Sequence, residues 1–437
     1  MAGGFERCGA AVFCGGRSRR MGADKALYLV NRAGQGLLSA LAEELAGRFG
    51  EVVLVTNDRR KLAACAELRP FAQVEDLRPG AGPVGAILTA LTHLPGRPVF
   101  VLACDMPVID WDVAGRLKDL LEAAGAQAAL PRHRGRLEPL HAFYGPGAAP
   151  VMARGLDEGR SSVRENLDRM PTVFLDCPDP DENGAAPGLF SNLNTAPEAR
   201  RAGFSLLGLA SRAARPAGPD GLAGPVEVLD ETVFELAVNG ETVLSQAALP
   251  RHLDDLARGL MLARGLIGGA DDLDSLLVSA DRRRVEARLK PALEPRRTGA
   301  DRRPPWTPGE LSALFGEFEG RSSPWPGAEA LDRACFAVPG AEGEAPIFED
   351  LTPLAALDKA LGRLLISGEL PGRGLVLTSG RADRETVERV LRVGAGGLLT
   401  RLRPTAAAVD AARAADLLLA VPEAGRAGLL VYAGEFF

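Results

Sequence analysis

The chain has 437 residues, of which 46% are hydrophobic, so it is long enough for two or three packed domains. Its net charge of −6 excludes a generally basic surface of the kind that binds nucleic acid or an anionic membrane. The longest apolar run, at 98–109, contains Asp105 and is too short to cross a bilayer, so we expect neither a nucleic-acid nor a membrane partner.

Residues 9 to about 198 alternate between strand and helix patterns. This alternation predicts an α/β domain with a doubly wound, mostly parallel sheet, whose ligands bind at the carboxyl ends of the strands. Continuous apolar runs predict strands at 10–13, 52–56 and 98–103, and a further short strand is predicted at 71–75. Amphipathic patterns predict helices at 37–49, 59–68, 84–94 and 111–123.

The first predicted strand runs into a glycine turn that carries a cluster of cations. The stretch Ala11–Ala26 reads AVFCGGRSRRMGADKA, and its cations are Arg17, Arg19, Arg20 and Lys25. Glycines let backbone N–H groups approach an anion, and the cations neutralise it, so the stretch predicts a polyphosphate site. It is neither a Walker A loop nor a GxGxxG fingerprint. The alternative is an ordinary basic surface loop.

Polar residues follow the next predicted strands. Asn57 and Asp58 end the second strand, Asp76 follows the third and Asp105 follows the fourth. A carboxylate beside a cation-lined glycine loop can hold Mg²⁺ on a triphosphate. The residues alone leave open whether Asp105 binds a metal ion or caps the turn before Pro107.

The stretch GGRSRRMGADKA resembles the signature of the molybdenum cofactor guanylyltransferase family, the MobA-type enzymes, which join GTP to molybdopterin and release pyrophosphate. The resemblance covers the first domain and implies a Rossmann-like nucleotidyltransferase fold that works with Mg²⁺. It implies that Arg19 and Lys25 grip the triphosphate, that Asp105 holds the metal ion, and that these three carry the catalysis.

The same resemblance assigns the other nucleotide contacts. The Gly15-Gly16 pair is associated with guanine rather than cytosine selection, and the family's alanine is replaced by Cys14. Segment 137–144, which contains His141, lies where the acceptor is expected to approach, although His141 fits a core strand equally well. The positions that match the family's nucleotide-side residues are Phe13, Cys14, Gly15, Gly16, Asn57 and Asp76, with Asn192 and Asn194 in FSNLNT.

The second half of the chain has a different pattern. The Ala-, Gly-, Pro- and Arg-rich segment 201–225 predicts a linker with a flexible tether from about Ala210, which separates domains 1–200 and 226–437. The second domain is predicted to be α+β. We expect short strands within 226–245 with a hairpin turn at Asn239-Gly240, a helix at 249–267, a mobile loop at 282–307, a helix at 354–366 and a strand at 374–381.

The order of these pieces resembles the formate dehydrogenase accessory family, the FdhD-type sulfurtransferases. The matching stretches are PRHLDDLARG and RGLI after an NG turn, EDLTPLAALDK at 349–359, TSGR at 378–381 and VPEAGRAGLLVY at 421–432. That family carries sulfur on a cysteine pair, whereas this half has one cysteine, Cys335, on a predicted strand.

We therefore predict that the second domain lacks sulfur transfer, because persulfide chemistry needs an accessible thiolate. It would instead bind or hand over the cofactor, with Ser379, Gly380, Arg381 and Arg426 as the surviving contacts. For Arg381, a solvated loop arginine is an equal alternative to a phosphate contact. The expected client is a molybdoenzyme such as formate dehydrogenase.

The leading interpretation is Mg²⁺-dependent transfer of GMP from GTP to molybdopterin. One alternative is another nucleotidyltransferase, such as a cytidylyltransferase. Another is a non-catalytic carrier or chaperone of the molybdenum cofactor. The six cysteines lack CxxC spacing, and residues 1–13 show no secretory signal, so we expect a cytoplasmic protein.

Overall fold

The computed structural model describes most of the chain and divides it into two compact units, Met1–Leu207 and Gly208–Phe437. The division lies within the segment that the sequence assigns to a linker. Across the described part of the chain, no helix is both long and apolar enough to cross a membrane. The described residues are 4–14, 25–31, 33–177, 190–214, 224–291, 304–321, 323, 331–340, 345–367, 373–423 and 428–435.

The first unit alternates strands and helices, as its sequence pattern predicts. Its strands are β1 (Gly9–Phe13), β2 (Leu29–Asn31), β3 (Glu51–Thr56), β4 (Ala72–Glu75), β5 (Val99–Ala103), β6 (Ala128–His133), β7 (Arg136–Leu137), β8 (His141–Tyr144), β9 (Thr172–Cys177) and β10 (Phe204–Leu206). Its helices are α1 (Lys25–Tyr28), α2 (Leu37–Ala46), α3 (Arg59–Ala63), α4 (Gly82–His93), α5 (Trp111–Ala123), α6 (Ala148–Asp157), α7 (Val163–Leu167) and α8 (Ala196–Arg201), with a 3₁₀ helix at Ala66–Leu68.

Two predicted helices differ from the observed ones at their ends. The helix predicted at 59–68 is split into α3 and the 3₁₀ helix, because Cys65 takes an extended backbone conformation between them. The helix predicted at 37–49 ends at Ala46. Phe49 still packs into the core, where its ring stacks on Phe5 at 4.9 Å.

Eight strands of this unit form one mostly parallel sheet. The order along the sheet is β4-β3-β1-β5-β8-β6-β7, and β9 pairs with β6. Strands β4, β3, β1 and β5 are mutually parallel, and β8 is antiparallel to β5. Helices α4 and α6 cover one face, while α2 and α5 pack on the other. The predicted doubly wound fold is therefore confirmed.

The second unit is a mixture of helices and sheets. Its strands are β11 (Leu209–Ala214), β12 (Gly224–Leu229), β13 (Thr232–Val238), β14 (Glu241–Ala248), β15 (Leu273–Val278), β16 (Arg284–Leu289), β17 (Asp332–Ala337), β18 (Ile347–Asp350), β19 (Leu375–Arg381), β20 (Gly397–Leu402), β21 (Leu418–Pro422) and β22 (Leu429–Ala433). Its helices are α9 (Leu253–Ala263), α10 (Pro308–Gly320), α11 (Pro353–Ser367), α12 (Arg384–Val393) and α13 (Ala406–Ala414), with a 3₁₀ helix at Ala270–Asp272.

These strands form a four-stranded sheet, β14-β13-β16-β15, and a six-stranded sheet, β18-β17-β19-β20-β21-β22. The predicted hairpin turn is present, since Asn239 and Gly240 both have positive φ between β13 and β14.

The structure corrects two expectations for this half. Where the sequence predicts a flexible tether from about Ala210, β11 pairs with β12 in antiparallel fashion. The loop predicted at 282–307 contains β16, which pairs with β13 and β15. Charged residues dominate that stretch, but they alternate with buried Val285 and Ala287, and this two-residue period belongs to a strand.

Helices α9 and α11 cross at a pair of glycines. A Cβ atom added to Gly259 would lie 1.9 Å from the Asp358 carbonyl oxygen, and one added to Gly362 would lie 1.9 Å from the Asp255 carbonyl oxygen. Each helix therefore needs glycine for the close backbone approach of the other. The crossing is reinforced by the Arg363 guanidinium, which lies 2.7 Å from the buried Asp255 carboxylate.

We expect Gly259→Ala to lower the free energy of unfolding by about 1–3 kcal/mol or more, because the new methyl group forces the two helices apart. Gly316→Ala is the matched control: Gly316 lies in α10 with open space around it, so alanine should raise stability by about 0.5–1 kcal/mol. Denaturant midpoints of the full-length chain measure both effects. Equal midpoints for the two variants would contradict the crossing.

Candidate functional site

The candidate site lies where four parallel strands end at one edge of the sheet. Neighbouring strand ends are joined by backbone hydrogen bonds: Cys14 N–H donates to Val55 (2.8 Å), Cys104 N–H to Phe13 (3.1 Å) and Asp76 N–H to Thr56 (3.1 Å). The chain proceeds from β1 to β3 and β4 on one side, then returns to β5 on the other. The crevice between β1 and β5 is thus the switch point at which doubly wound sheets bind ligands.

The predicted polyphosphate loop begins at this crevice. Phe13 is buried at the end of β1, and Cys14 follows it with its Sγ 3.5 Å from the Val12 carbonyl oxygen. Lys25 is the first residue of α1, where the described chain resumes. Gly15, Gly16 and Arg19 lie outside the described residues, so their assignment stays a prediction.

Asp76 is held in place by the helix that follows it. Its Oδ1 lies 3.1 Å from the Thr89 hydroxyl and accepts the backbone N–H of Arg78 at 3.1 Å. A Cβ atom at position 85 would lie 3.1 Å from the same oxygen, so Gly85 allows α4 to approach. Sequence reasoning missed Thr89; its signal is a hydroxyl within the apolar stretch of α4, one turn after Gly85. Asn57 is exposed directly after β3.

Asp105 is brought together with the two asparagines of FSNLNT. The Leu193 N–H donates a hydrogen bond to the Asp105 carbonyl oxygen at 2.8 Å. Asn192 and Asn194 are the chain neighbours of Leu193, so this hydrogen bond holds both asparagines near Asp105. The other end of this segment is held by α8, where Glu198 Oε2 accepts the N–H groups of Asn194 (2.8 Å) and Thr195 (2.9 Å). These hydrogen bonds lower the pKa of Glu198. The structure therefore unites residues far apart in the sequence.

The carboxylates at this edge of the sheet suit a metal ion that is bound partly by the protein and partly by a bound phosphate group. In the described ranges, no group of three or more His, Cys, Asp or Glu side chains could hold a metal ion by itself. Mg²⁺ keeps several waters and takes one or two carboxylates together with phosphate oxygens. Asp105, half-buried after β5, fits that arrangement.

His141 is a core residue. Its ring is fully buried on β8 and meets Phe100 and Phe190 edge-on, each with ring centroids 5.3 Å apart. Neither ring nitrogen has a hydrogen-bond partner among the described residues. Burial lowers the pKa of His141 to about 4, so the ring is neutral at pH 7. This environment favours the core alternative over a functional role.

In the second unit, Cys335 lies on β17, as predicted, and is 3% exposed. Burial raises the pKa of its thiol to about 12, despite the partly opposing effect of Arg321 and Arg333. The reactive thiolate is therefore scarce at neutral pH.

The TSGR stretch ends β19. The Ser379 hydroxyl accepts the Arg333 N–H (2.8 Å) and lies 3.2 Å from Asp332 Oδ1, which ties β19 to β17. Arg381 is exposed, and its Nη1 donates to the Arg403 carbonyl oxygen. Gly380 packs against Pro353, where a Cβ atom would lie 2.5 Å away. Arg426 lies outside the described residues.

Comparisons with known proteins agree with both resemblances. Residues 10–173 match the model of the MobA-like NTP transferase domain, and residues 292–435 match that of the FdhD/NarQ family. The chain is 31% identical over 186 residues to the molybdenum cofactor guanylyltransferase of Syntrophotalea carbinolica, which covers 43% of this chain and 86% of that protein. It is 27% identical to that of Pasteurella multocida, covering 42% of this chain and 93% of that protein.

A solved structure, molybdopterin-guanine dinucleotide biosynthesis protein A from Archaeoglobus fulgidus, is 27% identical to the chain, with a TM-score of 0.36 over 45% of this chain and 96% of that chain.

The doubly wound sheet and the domain matched at 10–173 define a nucleotidyltransferase. The chain belongs to the molybdenum cofactor guanylyltransferase family, and its C-terminal part matches the FdhD/NarQ family. Both resemblances read from the sequence are thereby confirmed.

We expect stability to depend on pH through His141. Because its pKa in the folded state lies below the ordinary 6.5, its protonation favours unfolding, and stability is lost as pH falls from about 7 to about 4. In His141→Leu this loss is absent. The stability of the variant relative to the wild-type protein should therefore rise by about 3 kcal/mol between pH 7 and pH 4. Urea unfolding across this range measures it, and a constant difference would contradict the assignment.

Proposed function

We propose that this protein transfers GMP from GTP to molybdopterin, which forms the molybdenum guanine dinucleotide cofactor and releases pyrophosphate. The observation that carries the proposal is the hydrogen bond between Leu193 and Asp105, which brings the FSNLNT segment to the switch point at the ends of β1 and β5. Asn57 and Asp76 follow the neighbouring strands and would contact the guanosine side of the nucleotide.

The proposed reaction needs positioning and charge neutralisation more than covalent chemistry. A terminal phosphate oxygen of the acceptor attacks the α-phosphorus of GTP, and the bond to the pyrophosphate oxygen breaks. The attacking phosphate monoester is already ionised near neutral pH, so no general base is required. Arg19 and Lys25 would bind the β- and γ-phosphates, while the N–H groups of the loop from Cys14 to Gly16 would approach the nucleotide.

We further propose that Asp105 holds Mg²⁺ together with phosphate oxygens of the bound nucleotide. When bound, the ion neutralises charge that develops on the triphosphate. The absence of a three-residue metal cluster among the described residues supports a shared site rather than a dedicated protein cage. A cytoplasmic location is supported by the six cysteines of the chain, which lack CxxC spacing.

We expect Asp105→Asn and Lys25→Ala each to reduce pyrophosphate release by at least about 100-fold. Lys25→Ala removes a cation that would stabilise the triphosphate in the transition state, and Asp105→Asn removes the carboxylate that would hold Mg²⁺ there. Asp112→Asn is the matched control, since Asp112 is an exposed carboxylate in the first turn of α5. Pyrophosphate release is measured with GTP and molybdopterin, and circular dichroism checks the fold. Turnover at the wild-type rate in Asp105→Asn would contradict the assignment.

The same assay separates the alternatives. Replacement of GTP by CTP should abolish release, whereas equal release with CTP would favour a cytidylyltransferase. A chain that binds both substrates without release would favour a carrier of the molybdenum cofactor.

For the second unit we propose cofactor binding or transfer to a client molybdoenzyme such as formate dehydrogenase, without sulfur transfer. The buried, high-pKa thiol of Cys335 supports the loss of sulfur chemistry. Exposed Arg381, at the carboxyl end of β19, is suited to a phosphate group of the cofactor.

The full-length chain should gain no sulfur at Cys335 when it is incubated with cysteine and a cysteine desulfurase, because burial raises the pKa of this thiol to about 12 and leaves little thiolate at pH 7. Mass spectrometry measures the added sulfur.

In the same preparation, Arg381→Glu should weaken retention of the guanine dinucleotide by the full-length chain. Arg288→Glu replaces an exposed arginine of the other sheet and should leave retention unchanged. Sulfur on Cys335 would overturn the proposed loss of sulfur transfer. Equal retention of the dinucleotide by both variants would overturn the proposed cofactor contact of Arg381.

A further inference from the structure

Two cysteines, Cys14 and Cys104, directly follow the two central strands of the first unit. Each lies one residue beyond the pair Phe13 and Ala103, which the parallel register of β1 and β5 places side by side. The Cys104 N–H donates to the Phe13 carbonyl oxygen at 3.1 Å, so the two strands stay hydrogen-bonded up to this position. Cys14 and Cys104 are thus the next pair in register, and we refer to them as the strand-end pair.

The geometry of the sheet brings the strand-end pair within reach of a disulfide. Neighbouring strands lie about 4.8 Å apart, and the Cα atoms of a disulfide lie about 4.4–6.8 Å apart. Successive side chains of a strand point to opposite faces of the sheet. Phe13 and Val101 belong to the core that α4 and α6 cover, so the alternation places Cys14 and Cys104 together on the other face.

The two thiols differ in their access to solvent. Cys14 is 9% exposed, and its thiol donates to the Val12 carbonyl oxygen at 3.5 Å. Cys104 is half-buried in the turn that leaves β5. A small oxidant can therefore reach Cys104 first, and Cys14 is placed to react with the oxidised sulfur. An accessible cysteine beside a second, resolving cysteine is typical of redox-sensing sites.

The cysteines on other described strands have different neighbours. Cys177, at the end of β9, lies opposite His133 of β6. Cys335, on β17, lies opposite Leu377 of β19. The strand-end pair is thus distinguished by its register as well as by its place at the reaction edge.

A bond between the two sulfurs would move the candidate site. Side chains in register on one face stand about as far apart as their strands, whereas the Cβ atoms of a disulfide lie about 3.5–4.5 Å apart. Closure therefore draws the turn after β5 towards β1. Asp105 is the next residue of that turn and is hydrogen-bonded to Leu193, so the movement reaches the carboxylate and the FSNLNT segment together. A displacement of about 1 Å can reduce a reaction rate by about 100-fold.

We propose that the strand-end pair is a redox switch of the transfer site, in which hydrogen peroxide oxidises Cys104 and Cys14 to a disulfide that stops the reaction. The loss of activity rests on the proposed guanylyl transfer, whereas formation of the disulfide does not.

The oxidation takes two steps. The Cys104 sulfur attacks one peroxide oxygen and the O–O bond breaks, which gives a sulfenic acid and one water molecule. The Cys14 sulfur then attacks the sulfenic sulfur and displaces its hydroxyl group as a second water molecule. The two thiols thus lose two electrons and two protons, and the peroxide takes up both. A dithiol reductant reverses the change by thiol–disulfide exchange.

The test exposes the full-length chain to hydrogen peroxide and removes the peroxide with catalase before GTP and molybdopterin are added. Pyrophosphate release by the wild-type chain should fall by at least about 10-fold and return with dithiothreitol, because thiols reduce a disulfide but not the higher cysteine oxides. Cys104→Ala should keep the activity of the untreated chain and resist peroxide. The matched control, Cys177→Ala, removes a half-buried cysteine at the end of β9 and should stay as sensitive as the wild-type chain.

Peptide mapping without reductant gives a readout that is independent of activity. After peroxide treatment, mass spectrometry should find the Cys14 peptide linked to the Cys104 peptide in the wild-type chain and no such link in Cys14→Ala. A missing link in the wild-type chain, unchanged pyrophosphate release by the linked chain, or full peroxide sensitivity of Cys104→Ala overturns the switch alone. A linked peptide in a chain that releases no pyrophosphate even after reduction overturns the proposed function and leaves the disulfide standing.

Discussion

The parallel pairing of β1 with both β3 and β5 is the constraint on which the first unit depends. Val12 lies opposite Leu54 on one side and Leu102 on the other, and all three side chains are fully buried. A shift of the strand register by one residue would turn each buried side chain towards the opposite face of the sheet. The loss of apolar packing makes such a shift unfavourable. The same register sets the relative heights of Cys14, Asp76 and Asp105. The site is therefore positioned by the burial of residues that take no part in its chemistry.

In the second unit, buried charged pairs lie beside the apolar core around α11. Lys359 is fully buried with its Nζ 2.5 Å from Asp350, and Asp358 pairs with Arg389 of α12 at 2.8 Å. Burial raises the pKa of Asp358 to about 6, against the opposing effect of Arg389. Removal of one partner from such a pair leaves an uncompensated buried charge. The residues of EDLTPLAALDK that match the accessory family therefore have a packing role in this chain.

Much of the fold follows from the sequence, and the exceptions have physical reasons. Continuous apolar runs mark β1, β3 and β5 because parallel strands are covered on both faces. Strand β16 was missed, since Arg284, Glu286 and Arg288 outweigh Val285 and Ala287 in composition although the alternation is present. Strand β11 was missed because its sequence, LASRAA, is rich in small residues and its pairing with β12 depends on tertiary contacts rather than on local propensity. Strand β12 overlaps the short strands that the sequence predicts from residue 226.

By itself, the sequence determined the alternation of elements, the glycine and cation loop, and the two family resemblances, because these depend on local periodicity and on motifs contiguous in the chain. Tertiary structure alone decided that Leu193 bonds to Asp105, that Thr89 lies against Asp76, and that Cys14 and Cys104 follow neighbouring strands in register. Thr89 and Asp76 are 13 positions apart in the chain, and the other contacts join residues of different strands and loops. No local pattern encodes them, because they arise only when the buried strands choose their partners and register.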